Sequence, residues 1–233
     1  MKREKANSLV AYMYRMLHEA KSTGKSLRYE AFVQSGSRIG LYEGVEEWFS
    51  RINAYGASKG LEIQHFINSS GLREMIEGTS IAKEFRKIYA CSFLYDVDGV
   101  AYWPAVAVNY TNKTQFIFKI NKGIESVYDS QRINEYIEEE ERLVPFRRMI
   151  YFGDGTTDIP CMRLVKQQGG RSIAVYNPVS ERKRQTCERL LHDDRVNYVC
   201  PADYREDRMI DRLVRAIIDR IAADENLRKF DMK

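Results

Sequence analysis

The passage Met149-Ile150-Tyr151-Phe152-Gly153-Asp154-Gly155-Thr156-Thr157-Asp158 constrains this chain more than any other. Four apolar residues suit a buried strand. The glycine-rich turn after them ends it, and a helix is predicted over residues 160–168, followed by a glycine pair and a strand over 172–176. A strand, a loop, a helix and a second strand in that order make a β-α-β unit, which implies a parallel sheet. The rest of the chain agrees. Helical spacing is predicted near residues 7–20, 29–35 and 44–56, with a closing amphipathic helix over 208–223 that turns Leu213, Ile217, Ile218 and Ile221 inward. Extended runs are predicted over 61–68, 88–95 and 101–110, and a further helix over 111–121. Asp98-Gly99 between two β-rich runs predicts a hairpin.

Composition narrows the function classes. The 233 residues are 44% hydrophobic and 30% charged, an ordinary globular mix. The 37 Lys and Arg against 33 Asp and Glu leave +4. Glu181-Arg182-Lys183-Arg184 is too short for a nucleic-acid footprint and reads as the solvated face of a polar helix. The 15 tyrosines, among them Tyr89, Tyr110 and Tyr151, fall at core-like positions, and Trp48, Trp103 and His65 read as packing residues. Glu138 to Glu141 read as a solvated linker or helix face. No run reaches the ~18 apolar residues of a membrane span. The basic Met1–Lys5 start lacks the features of a secretion signal. Cys91, Cys161, Cys187 and Cys200 show no CxxC or zinc spacing, as expected of free thiols in a reducing cytoplasm.

Three features carry chemistry. Asp154 and Asp158 stand at the carboxyl end of a parallel strand, where ligands bind in open α/β sheets, and hard oxygen donors there suit Mg²⁺. The same residues also suit an Asp-Gly turn with Asp158 capping the next helix. Ser69-Ser70-Gly71 ends another strand and is expected to open a helix, which makes either an anion site or an ordinary serine cap. Lys113 opens the 111–121 helix, with Lys119 and Lys122 behind it, and by itself indicates nothing.

Taken together, Ser69, Lys113 and Gly-Asp-Gly-x-x-Asp resemble motifs II, III and IV of the haloacid dehalogenase superfamily, in its phosphoserine-phosphatase-like branch, over roughly residues 41–220. That resemblance implies a Rossmann-like, mainly parallel sheet flanked by helices, with residues 1–40 as part of a helical cap and 41–233 as the core. It implies that Ser69 and Lys113 act on the transferring phosphoryl group, with Ser70 and Gly71 beside them in the phosphate site, and that Asp154 and Asp158 hold Mg²⁺. The implied activity is a cytoplasmic phosphomonoester hydrolase for a small phosphorylated metabolite, without a nucleic-acid or membrane partner. The alternative is an inactive protein that binds phosphate and metal.

The resemblance breaks at the front and in one spacing. Lys113 and Asp154 lie 41 residues apart (154 − 113), which is long for the family, and the acidic segment is the excess. Motif I, an Asp-x-Asp on the first strand, supplies the family's nucleophile and its general acid, yet no Asp precedes Asp96. The core is therefore expected to lack its first strand, and the aspartyl-phosphate nucleophile to lie outside this chain. Tyr95-Asp96-Val97-Asp98-Gly99 has the right residues in the wrong place. It follows Ser69, and Thr111 comes only 15 residues after Asp96 (111 − 96), too few for a cap, a helix and a strand. A hairpin turn is the expected role.

Overall fold

A computed structural model describes residues 7–129 and 131–231, so the basic start over residues 1–5 lies outside the described residues. The helices are α1 (Ser8–Ser22), α2 (Tyr29–Gly36), α3 (Val45–Ser58), α4 (Arg73–Glu77), α5 (Lys113–Lys122), α6 (Ile159–Gln167), α7 (Glu181–His192) and α8 (Met209–Asp231). The strands are β1 (Phe66–Leu72), β2 (Lys87–Tyr95), β3 (Ala101–Val106), β4 (Ile150–Gly153), β5 (Arg171–Tyr176) and β6 (Tyr198–Pro201). The fold is α/β, with mainly parallel strands flanked by helices. Three of the four strand pairings, β1–β2, β4–β5 and β5–β6, are parallel, and β2–β3 is antiparallel. Among the described residues the strands form two three-stranded sheets, ordered β1-β2-β3 and β4-β5-β6.

The chain divides into two compact units. The first comprises Met1–Gly40 and His65–Phe116, and the second Leu41–Gln64 and Ile117–Lys233. Helices α1 and α2 therefore share a unit with the first sheet.

In the first unit, Phe32 of α2 stacks on Phe93 of β2 with ring centroids 5.7 Å apart, and Tyr89 stacks on Phe116 at 5.2 Å. Two glycines let α2 lie against the α4 segment. A Cβ on Gly36 would sit 1.9 Å from the Met75 carbonyl oxygen, and one on Gly78 would sit 2.0 Å from that of Val33. The hairpin forms as expected. Asp96 Oδ1 accepts from the amides of Asp98 (3.0 Å) and Val100 (2.8 Å), and Gly99 has φ of +73°. Such a turn asks for a short polar acceptor and a residue tolerant of positive φ.

In the second unit, β4-β5-β6 packs on α6 and α7 through Met162, Ala174, Cys187, Leu190 and Val196. Helix α8 buries Ile210, Val214, Ile217 and Ile218, while Leu213 and Ile221 are half-buried. The excess spacing before Asp154 is an irregular segment pinned from outside itself. Lys119 Nζ donates to the carbonyls of Ser126 (2.8 Å) and Val127 (3.1 Å), and Lys122 Nζ to that of Ile133 (2.7 Å). Arg147 pairs with Glu139, Glu140 and Glu225, and Arg228 with Glu140. The acidic run is thus solvated, as expected, but also tied down. All four cysteines are buried, and none is joined in a disulfide. Among the described residues no helix is long and apolar enough to cross a membrane.

Candidate functional site

The candidate residues fall into two groups, one in each unit. In the first unit the structure corrects the reading of Ser69-Ser70-Gly71. They do not open a helix. Strand β1 runs on to Leu72, and the three residues bulge out of it between the pairs Asn68↔Tyr89 and Leu72↔Cys91, opposite Ala90 alone. Helix α4 starts only at Arg73, and its cap position, Leu72, offers no side-chain oxygen. Ser69 Oγ instead accepts from the Gly71 amide at 2.9 Å, which holds the bulge in a tight turn. Ser70 Oγ is buried with no hydrogen-bond partner among the described residues.

Lys113 opens α5, as expected, although the helix begins two residues later than Thr111. The turn before it is built by Asn109, whose Oδ1 accepts from the Thr111 amide (2.8 Å) and hydroxyl (2.5 Å). Asn112 closes the turn by accepting from the Asn109 amide at 2.7 Å. Lys113 is 3% exposed, so it is not the surface lysine its residue type suggests. Asn68 Nδ2 donates to the Lys113 carbonyl at 3.0 Å, which brings the residue beside Ser69 to the start of α5. Cys91 lies between these elements: its thiol contacts the Ser70 carbonyl at 3.4 Å, and burial raises its pKa while the Lys113 charge opposes that rise. One hydroxyl without a partner, a second hydroxyl and a buried cation are the groups that hold an oxyanion.

In the second unit Asp154 and Asp158 sit on one loop at the carboxyl end of β4, and the residues between form a 3-10 turn over Thr156–Asp158. Asp154 is exposed, and its carboxylate makes no hydrogen bond or ion pair among the described residues. Asp158 is 6% exposed and does not cap α6 with its side chain. Its Oδ1 accepts from the Tyr151 hydroxyl at 2.8 Å. Burial first, then the neighbouring Cys161 and Asp158, push the Tyr151 phenol far above its ordinary pKa, so it remains a donor. Gly153 makes this arrangement possible. A Cβ there would stand 2.7 Å from Asp158 Cβ, 3.2 Å from Asp158 Cγ and 2.9 Å from Met162 Sδ.

The space left by that missing Cβ holds an acidic side chain close to the strand end, and two carboxylates on one loop are donors that suit Mg²⁺. Among the described residues no group of three or more His, Cys, Asp and Glu could hold a metal ion. Two carboxylates still fit this ion, which commonly keeps several waters.

Two further residues border the loop and have no local sequence signal. Lys183 Nζ reaches the Asp154 carbonyl at 3.5 Å. Tyr204 has its phenol pKa raised by burial first, then by Tyr42 and by the Asp154 charge. Tyr110 is 60% exposed, which corrects its assignment to the core, whereas Tyr89 is 2% exposed. Trp48 is buried at 5% and Trp103 lies 55% exposed. His65 is half-buried, and burial lowers its pKa.

No protein-family profile matches the chain. An uncharacterized protein of Borreliella burgdorferi is 26% identical to it over 219 residues, which cover 85% of this chain and 74% of that protein.

Proposed function

We propose that this chain is the phosphate- and Mg²⁺-holding part of a phosphomonoester hydrolase of the haloacid dehalogenase type, acting in the cytoplasm on a small phosphorylated metabolite. The observation that carries the reading is the Asn68–Lys113 hydrogen bond, which sets a buried lysine at a helix start beside a serine bulge with an unpartnered hydroxyl. Ser69 and Ser70 would donate to phosphoryl oxygens, the Gly71 backbone would let them approach, and Lys113 would offset their charge. Asp154 and Asp158 would hold the cation, whose chemistry in hydrolases of this type is to neutralise phosphoryl charge. Tyr151 would orient Asp158 through its hydroxyl. The attacking carboxylate would come from outside these residues: no Asp precedes Asp96, and Asp96 Oδ1 is engaged by two backbone amides of its hairpin turn.

The test is calorimetric titration of the chain with inorganic phosphate, with and without Mg²⁺, alongside K113M and D154N. Phosphate binding that is lost in K113M and Mg²⁺ binding that is lost in D154N are expected. Equal binding in all proteins and conditions overturns the reading.

A second reading, a protein that binds phosphate and metal without turnover, is favoured by the same missing carboxylate. Release of p-nitrophenol from p-nitrophenyl phosphate by this chain alone, abolished in D154N, would exclude it and would also place the attacking carboxylate within the chain.

A further inference from the structure

The basic run over residues 181–184 lies on a solvated helix turn, as expected, with Glu181, Arg182 and Arg184 exposed and Lys183 half-buried. It forms the first turn of α7, where Ser180 Oγ caps the Lys183 amide at 3.4 Å. Arg184 spends its charge within the helix, with Nε 2.8 Å from Glu188 Oε1. Lys183 instead leaves the helix and reaches across 29 residues of sequence to the Asp154 carbonyl. One turn further on, the Cys187 thiol feels both charges: Lys183 lowers its pKa and Asp154 raises it, beneath a larger rise from burial. The ammonium of Lys183 and the unpaired carboxylate of Asp154 therefore share one neighbourhood.

The contact itself is weak. At 3.5 Å it stands at the long limit of a hydrogen bond, and it is made by a flexible side chain to a neutral acceptor. An ammonium held by so weak a bond to a neutral carbonyl is readily displaced by a stronger cation. We propose that Lys183 is the resident counter-cation of the Gly153–Asp158 loop, and that it gives up this place when Asp154 takes a divalent ion. The inference rests on the metal assignment made under Proposed function. It adds that Lys183 offsets one of the loop's two carboxylate charges in the absence of metal, and that it lowers the loop's affinity for a divalent cation while remaining free to meet an anion once displaced.

The experiment uses the full chain, with Mn²⁺ as the probe, and follows free Mn²⁺ by electron paramagnetic resonance at low ionic strength. A unit positive charge removed from the vicinity of a divalent ion strengthens binding by roughly three- to ten-fold in a water-like dielectric. K183Q should therefore bind Mn²⁺ more tightly by that factor, K183R should stay close to the parent, and D154N should lose the site. In parallel, acylation of the Lys183 amine, read by peptide mass, should rise when Mg²⁺ is added to the parent and stay unchanged in D154N. Unchanged or weaker binding in K183Q, with D154N still deficient, overturns the inference and leaves the metal assignment standing. If D154N binds Mn²⁺ as the parent does, the metal assignment falls and takes the inference with it.

Discussion

The side-chain amide of Asn68 donates to the backbone carbonyl of Lys113 at 3.0 Å, joining the last regular residue of β1 before its bulge to the first turn of α5. Because a backbone carbonyl accepts the bond, any lysine rotamer is compatible with it, and what it fixes is the position from which the side chain starts. Asn68→Ala should therefore weaken phosphate binding by about five-fold and cost about 1 kcal/mol of stability, the usual worth of such a bond. Phosphate titration and a urea melt on the same variant measure both.

Gly153→Ala places a methyl group where Asp158 and Met162 already stand, at 2.7 and 2.9 Å. Neither neighbour can retreat freely, since Met162 is fully buried and Asp158 is held by Tyr151. A loss of about 1–3 kcal/mol is expected from overpacking. Divalent-ion affinity should fall with it. A melt at the parent's stability would show that the loop gives way more easily than its contacts imply.

Tyr151→Phe removes one hydroxyl and leaves the ring in place. A buried carboxylate loses a donor, so the unfolding midpoint in urea should drop by the equivalent of about 1.5–3 kcal/mol with an unchanged slope. A drop of that size without loss of the phosphate site in the other unit would separate the two groups of residues experimentally.

Acid should act through Glu225. Its hydrogen bonds to Arg148 hold its carboxyl below the ordinary range against the opposing effect of burial, and Arg147 adds to the lowering. With a folded pKa below the unfolded one, the stability it contributes is complete above the unfolded value and is lost as pH falls through the folded value. Glu225→Gln should be less stable than the parent by about 1–2 kcal/mol at pH 7. The difference should shrink below about pH 4. Thermal melts across that pH range supply the comparison.

The β4–loop–α6–β5 passage was legible because everything that defines it is local: an apolar run, glycines, and a helix of the right length. The hairpin at Asp96–Gly99 was legible for the same reason. The serine bulge was not, because it exists only by virtue of pairing with β2, and pairing register leaves no mark within β1 itself. Nor could the sequence reveal that Lys113 is buried or that Lys119 and Lys122 donate to carbonyls, since lysine is a solvent-facing residue until a particular set of acceptors surrounds it. Strand β6 is four residues long and ends in Pro201, too short and interrupted to carry a periodic signal. Tyr151 was visible as a strand residue. Its second role, as donor to Asp158, needed the loop to fold back.

The segment between α5 and β4 is secured by two kinds of bond that respond differently to salt. At its near end, Lys119 is 3% exposed and donates to carbonyl groups, with the half-buried Lys122 donating beside it, so added ions have little access to Lys119. At its far end, Glu139 and Glu140 are more than half exposed where they meet Arg147 and Arg228. Exposed ion pairs are screened within a few ångströms at molar salt, whereas enclosed ones are not. Concentrated brine should thus unzip the segment from its acidic end while the lysine end stays buttoned, giving a chain whose hydrogen exchange rises around residues 138–142 and is unchanged at Ile124, whose amide donates to the Lys119 carbonyl.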